Sequence, residues 1–116
     1  MPNLISHIEI AGPNGDKLRD FYAGLFGWAI ENKKEHGFDY GRFSPPFSET
    51  VTGGLRYEPD GKAEVVLYVS VEDLEETVKL AEALGGSVRV PPMDGAGSRF
   101  ALVQDPDGNP VGLVQA

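Results

Sequence analysis

Cysteine is absent from this chain of 116 residues. That excludes disulfides, thiolate zinc centres and a cysteine nucleophile, and it suits a reducing compartment, so a cytoplasmic location is expected. Cations are few. Ten Lys and Arg stand against 18 Asp and Glu, for a net charge of −8. A general nucleic-acid binder carries a basic face, so no nucleic-acid partner is expected. Long apolar runs are missing too, which argues against a bilayer span and a membrane partner. The opening MPNLISHIEIAGPNG has no basic region followed by an apolar stretch, so no signal peptide is expected. What remains is 41% hydrophobic, enough for a packed core in one domain.

Hydrophobic periodicity predicts two helices. In Asp16 to Phe26, Leu18, Phe21, Tyr22, Leu25 and Phe26 recur at helical spacing, and Gly27 is a natural stop. In Asp73 to Leu84, Leu74, Thr77, Val78, Ala81 and Leu84 share one face. Asp73 with Glu76 resembles a capping box, and Gly85-Gly86 ends the helix. A strand precedes each helix (LISHIEIA, EVVLYVSV). Three strand candidates follow each: GWAIENK, FDYGRFS and TVTGGLRYE after the first, SVRV, SRFALVQ and PVGLVQ after the second. The prolines of SPPFSE and PPMDGAG interrupt these runs, and PPMDGAG reads as a lid loop or a plain connection. The order β-α-β-β-β therefore occurs twice. Leu18 matches Leu74 at an offset of 56, Arg42-Phe43 matches Arg99-Phe100 at 57, and Gly54-Leu55 matches Gly112-Leu113 at 58. Slowly drifting offsets are the mark of two diverged modules, about 1–58 and about 63–116.

That repeat, with HIEI before the first helix, FYAGLFGW at its end, VEDLEETVKLAEALGG opening the second module and RFALVQDPDGNP before the last strand, resembles the vicinal oxygen chelate superfamily. The superfamily contains glyoxalases, extradiol dioxygenases and bleomycin- and fosfomycin-resistance proteins. The resemblance implies an α+β fold, two tandem βαβββ modules forming one cup-shaped curved mixed sheet with the helices outside. It also implies a metal on four ligands from the first and last strands of each module. Carried over one by one, His7 matches. Gly54 stands where a glutamate is usual, Val66 where a histidine is usual, and Gly112 where the final glutamate is usual. Glycine weakens a strand interior, so Gly112 needs a reason, and it marks the place of a missing ligand. Glycine and valine offer a cation no side-chain donor, so no cofactor is expected, with a divalent metal kept as the alternative.

Strand alternation puts His7, Glu9 and Ala11 on the cup side and Ile8 and Ile10 toward the helix. In the second module it puts Val66, Tyr68 and Ser70 on the cup side and Leu67 and Val69 toward the helix. His7 and Glu9 are the candidate catalytic residues, as a tuned base and its carboxylate neighbour. The bland alternative is a structural histidine beside a solvated glutamate. Tyr68, Ser70 and Arg99 are the candidate ligand-binding residues, although alternation alone does not assign the faces of Arg42 and Arg99. His36 reads as a surface residue of a hairpin turn, and Trp28 as a cover for the sheet edge or the cup mouth. No phosphate-cradling loop and no nucleophile elbow are present.

Two functions stay open. One is a glyoxalase-like lyase or isomerase working on a small molecule without the usual metal, with His7 or Glu9 as proton shuttle. The other is a non-catalytic protein that sequesters a small molecule. A homodimer is expected, because each module presents strand edges that tend to be paired or covered. The turn-like EPDGK at 58–62 would allow the modules to swap.

Overall fold

The computed structural model describes residues 2–35, 38–95 and 97–116, and the side chains of residues 32–39 lie outside that description. His36 is therefore outside it as well. The described elements follow the β-α-β-β-β order twice. They are β1 (Ile5–Gly12), α1 (Gly15–Phe26), β2 (Ile30–Glu35), β3 (Phe38–Phe43), β4 (Thr52–Tyr57), β5 (Glu64–Val71), α2 (Leu74–Ala83), β6 (Ser87–Gly95), β7 (Ser98–Gln104) and β8 (Pro110–Gln115). The chain divides into two compact units, residues 7–66 and residues 1–6 with 67–116. Residues 1–6 join the second unit because the Ser70 amide donates to Leu4 O at 2.9 Å and the Ser6 hydroxyl reaches Tyr68 O.

In the 7–66 unit the strand order is β2-β3-β4-β1, with β1 parallel to β4 and the other pairs antiparallel. Registers assign the faces. Opposite His7, Glu9 and Ala11 of β1 stand Thr52, Gly54 and Arg56 of β4, and opposite Gly54 and Arg56 stand Arg42 and Tyr40 of β3. Directly paired residues share a face, so all of these lie on one side of the sheet. The other side carries Gly53, Leu55 and Phe43. There Trp28 contacts Tyr22, Phe26, Phe43 and Phe47, with ring centroids 4.7–5.9 Å apart. Trp28 is thus part of the packing between helix and sheet, not a cover for an edge. A Cβ at Gly53 would fall 2.6 Å from the Phe43 ring, so this aromatic cluster lies directly on the backbone.

Helix α1 ends at Gly27, whose φ of 70° is the left-handed conformation that glycine adopts without strain. Its expected apolar stripe is only partly covered. None of its residues is fully buried, and Phe21, Leu25 and Phe26 are more than half exposed. Helix α2 is better seated. Asp73 caps it by accepting from the Glu76 amide at 3.1 Å. Leu74 and Val78 pack into a core of Val71, Ala101, Val103 and Leu113, whereas Leu84, expected on the same face, is exposed. In this second unit the order is β5-β8-β7-β6.

The PPMDGAG segment is neither a lid loop nor a bare connection over its first five residues. Strand β6 runs through Pro91 and Pro92 to Gly95, with register shifts between Val88 and Val90 and between Val90 and Met93. It is the last strand in the order of its unit. Proline is tolerated at such bulged end positions because no ladder hydrogen bond is required of its nitrogen.

Candidate functional site

The polar face of the first unit is organised around His7. Its Nδ1 lies 2.7 Å from Thr52 Oγ1 and its Nε2 lies 2.7 Å from the Tyr40 hydroxyl. A neutral imidazole has one donor and one acceptor nitrogen, so the ring accepts from one hydroxyl and donates to the other. Burial, and secondarily the nearby Arg42 guanidinium, hold the His7 pKa below its ordinary value. The imidazole is therefore uncharged near neutral pH.

Glu9, two residues along the same face, is in a different situation. It is buried, and Arg56 Nη1 donates to its Oε1 at 2.5 Å. Arg56 Nη2 also donates to Glu64 Oε1 at 2.8 Å, and Arg56 Nε lies 2.9 Å from Glu58 Oε1 without the alignment of a hydrogen bond. One guanidinium thus holds three carboxylates. Glu9 serves as a buried counter-ion to Arg56.

On the second unit Tyr68 is buried and lies opposite Gly112 in the β5–β8 ladder, while Ser70 lies opposite Val114 on the same face. Leu102 and Phe100 of β7 complete that face. Arg99 is not among them. Alternation sends it to the side of Ala101 and Val103, where its guanidinium pairs with Glu75 at the start of α2. Of the three candidate ligand-binding residues, Tyr68 and Ser70 therefore share a face, and Arg99, whose face the sequence leaves open, lies on the other. Arg42, left unassigned by the sequence, lies on the His7 face.

The residues between 4 and 113 match the family model described as the Glyoxalase/Bleomycin resistance protein/Dioxygenase superfamily. The chain belongs to this superfamily. Among curated members it is 28% identical over 115 residues to "Putative glyoxylase CFP32" of Mycobacterium bovis and to the protein of the same name in Mycobacterium tuberculosis. That match covers 94% of this chain and 44% of the relative, so the chain spans less than half the length of the curated relatives it matches. Among solved structures it resembles a hypothetical protein from Bacillus halodurans (TM-score 0.76, 15% identity, 100% of this chain and 96% of that chain). It also resembles methylmalonyl-CoA epimerase from Mycobacterium tuberculosis (TM-score 0.68, 18% identity, 96% and 86%). A further likeness is to the Streptomyces coelicolor epimerase in complex with 2-nitronate-propionyl-CoA (TM-score 0.73, 17% identity, 100% and 96%). At these identities the structural likeness establishes the fold.

The superfamily's four metal positions can now be tested against the side chains that surround them. Gly54 lies under Tyr40: a Cβ built there would be 2.3 Å from the phenol oxygen and 2.4 Å from Cζ. Gly112 lies under Tyr68 in the same way, its Cβ position falling 2.3 Å from ring Cδ2. Registers also equate the two first strands. Glu9 faces Gly54 as Tyr68 faces Gly112, and stepping back two residues on each strand matches His7 with Val66, which is fully buried and apolar. Two carboxylate positions are thus filled by tyrosine rings and one imidazole position by valine. His7, the retained ligand type, has both ring nitrogens within hydrogen-bond distance of hydroxyls. This donor set does not fit a divalent cation, which needs several nitrogen, oxygen or sulfur ligands. Among the described residues, no group of three or more His, Cys, Asp or Glu side chains is placed to hold a metal.

Tyr40, Thr52 and Arg56 were not singled out from sequence. The signal was present in the phase of two strands. In FDYGRF, Tyr40 and Arg42 share parity, and in TGGLRY, Thr52, Gly54 and Arg56 do. Fixing Gly54 at the ligand position would have brought all five to the face of His7.

Proposed function

We propose that this protein binds a small molecule on the His7 face and does so without a resident divalent metal. The observation that carries this reading is Gly54 under the Tyr40 ring, with the Tyr40 hydroxyl held by His7. Where the superfamily would place a carboxylate toward a metal, this chain presents a phenol toward an imidazole. Membership in the superfamily, and neighbours whose names specify CoA-ester epimerisation, support a small-molecule ligand. The mutual satisfaction of His7, Tyr40 and Thr52, and the engagement of Glu9 by Arg56, favour binding over turnover.

A second reading rests on the uncharged state of His7. A neutral imidazole 2.7 Å from a phenol can pass a proton, so a glyoxalase-like isomerisation would route through His7 and Tyr40 and not through Glu9. Denaturation scans with a metabolite panel and with Zn, Ni, Mn and Mg salts test the main reading. A ligand of the folded state raises its melting temperature, by about 2.7 kcal/mol of stabilisation at a hundred times Kd. The expected result is stabilisation by an organic ligand and none by the metals. A one-to-one stabilisation by a transition metal, reversed by chelation, would overturn it. Consumption of the stabilising ligand would establish the second reading.

A further inference from the structure

On the face of the second unit's sheet away from α2, cross-strand registers line up a row of side chains. The Ser70 amide donates to Leu4 O, Ser70 stands opposite Val114, Val114 opposite Phe100, and Phe100 opposite Met93. Directly paired residues share a face, so the row runs from Leu4, just before β1, across β5, β8 and β7 to β6. The next row along the strands is Tyr68, Gly112, Leu102 and Val90, of which the first three are buried. The outer row is not. Leu4 and Met93, at its two ends, are 74% and 46% exposed, and Ser70, Val114 and Phe100 are partly buried. Helix α2 covers the opposite face, over Ala101, Val103 and Leu113. Apolar residues scattered singly on a surface need no explanation, but a contiguous row does.

We infer that this row binds an uncharged apolar small molecule, laid across Met93, Phe100, Val114 and Leu4 with the Ser70 hydroxyl as its polar contact. The site uses none of the residues of the His7 face, and it stands whether or not that face binds a ligand.

Charge selects the class of ligand. Asp, Glu, Lys and Arg make up 24% of the chain. None of them, and no His, occupies either row or the Ser98–Gly95 pair on the row's outer side. A charged ligand would give up its water there without gaining a counter-ion. An apolar ligand exchanges only unfavourable hydration for contact.

Size selects a small molecule over a protein. Four strand separations make the row about 19 Å long, and the spacing of same-face residues along a strand makes it about 7 Å wide. A stable protein–protein interface takes roughly 800 Å² from each partner, several times the area of this strip. The row is also set before a ligand arrives. The Phe100 ring leans onto the β6 backbone at Gly95, where a Cβ would fall 2.7 Å from Cε1. A side chain at position 95 would displace the ring, so the glycine makes its place. A surface held in place beforehand loses little entropy on binding.

The test uses N-phenylnaphthylamine, an uncharged probe whose fluorescence rises in apolar surroundings, with anilinonaphthalene sulfonate as its anionic counterpart. Each is titrated into the labelled full chain at fixed pH and ionic strength, and backbone amide NMR signals are followed as well. The uncharged probe is expected to bind saturably, to move the signals of Ser70, Met93, Phe100 and Val114, and to bind more tightly than the sulfonate. Leu4 and Met93 are exposed, so Leu4→Ser combined with Met93→Ser removes apolar surface without opening the core. This double variant should weaken the probe by about tenfold or more, the scale of one apolar side chain taken out of contact. Leu84→Ser, which changes an exposed leucine of α2, should leave binding unchanged. Equal losses in the two variants, full-strength binding in the double variant, or signals that move only elsewhere would overturn the row as a site. Sulfonate binding as tight as that of the uncharged probe would overturn the uncharged assignment. Row signals that move with protein concentration alone would place a second copy of the chain there instead. No saturable binding of either probe would overturn the inference outright.

Discussion

Gly112→Ala should destabilise this protein, although the usual expectation has the opposite sign. Glycine in a strand interior is about 0.5–1 kcal/mol less favourable than alanine, because it loses more conformational freedom on folding. Gly112 has no left-handed backbone that would forbid a side chain. The added methyl meets the Tyr68 ring at 2.3 Å from Cδ2, 2.5 Å from Cε2 and 2.6 Å from Cγ, well inside van der Waals contact. Contact with Cγ matters most, since a ring flip about χ2 leaves that atom in place and only a change of χ1 at a buried side chain would carry it away. Tyr68 is buried, so ring or strand must shift by more than 1 Å within packed surroundings. Overpacking of this kind costs about 1–3 kcal/mol, and the upper end applies here. Subtracting the glycine term leaves a net loss of roughly 2 kcal/mol. Urea unfolding of the single variant, and of the same change in a Tyr68→Ala background, measures it. The loss should largely vanish in the second background. A Gly112→Ala variant at least as stable as the parent, or an equal loss with and without the ring, would refute the claim that Tyr68 occupies the space of the missing ligand.

Glu9→Ala should cost about 3 kcal/mol in urea unfolding, because it leaves Arg56 without its closest counter-ion in a largely buried cluster. A loss under about 0.5 kcal/mol would favour the alternative, that Glu9 acts mainly on a ligand. The His7 pKa is lowered in the folded state, so between that value and the ordinary one the unfolded chain binds more protons. The contribution of neutral His7 is therefore complete above the ordinary histidine value and is lost as pH falls below it. Between about pH 7 and pH 5 the parent should lose more stability than His7→Gln, and equal slopes would show that His7 is not buried as described. Sedimentation at micromolar concentration should give about twice the 12.5 kDa chain mass, since Phe21, Leu25 and Phe26 leave α1 poorly covered. A mass of one chain at low and high salt would exclude the dimer.

The repeated β-α-β-β-β order was legible because two helices with strong 3.6-residue periodicity punctuate strands bounded by glycine and proline. The sequence pattern shortens strand β6, because Pro91 and Pro92 resemble a break. Only the ladder shows that the strand is bulged and last in its unit, where proline does no harm. The glycines at 54 and 112 and the valine at 66 are legible by position, but what surrounds them is not. That Gly54 and Gly112 lie beneath tyrosine rings depends on the cross-strand registers of Tyr40 and Tyr68, which no local pattern encodes. The same holds for Glu9. A glutamate two residues from a histidine reads as a catalytic neighbour until Arg56, brought from 47 residues away by the parallel β1–β4 pairing, takes it as counter-ion. The face of Arg99 is not legible in the sequence, because Phe100 beside it could face either side. The core that forms around Ala101 and Val103 decides the phase.

Metal content tests the central claim most directly. The protein, expressed with supplementary Zn, Ni, Mn and Fe and freed of loosely held ions by dialysis, should contain far less than one of these metals per chain by elemental analysis. About one tightly held ion per chain, lost in His7→Ala, would contradict the proposal that tyrosine rings and an apolar side chain stand in place of the superfamily's metal ligands.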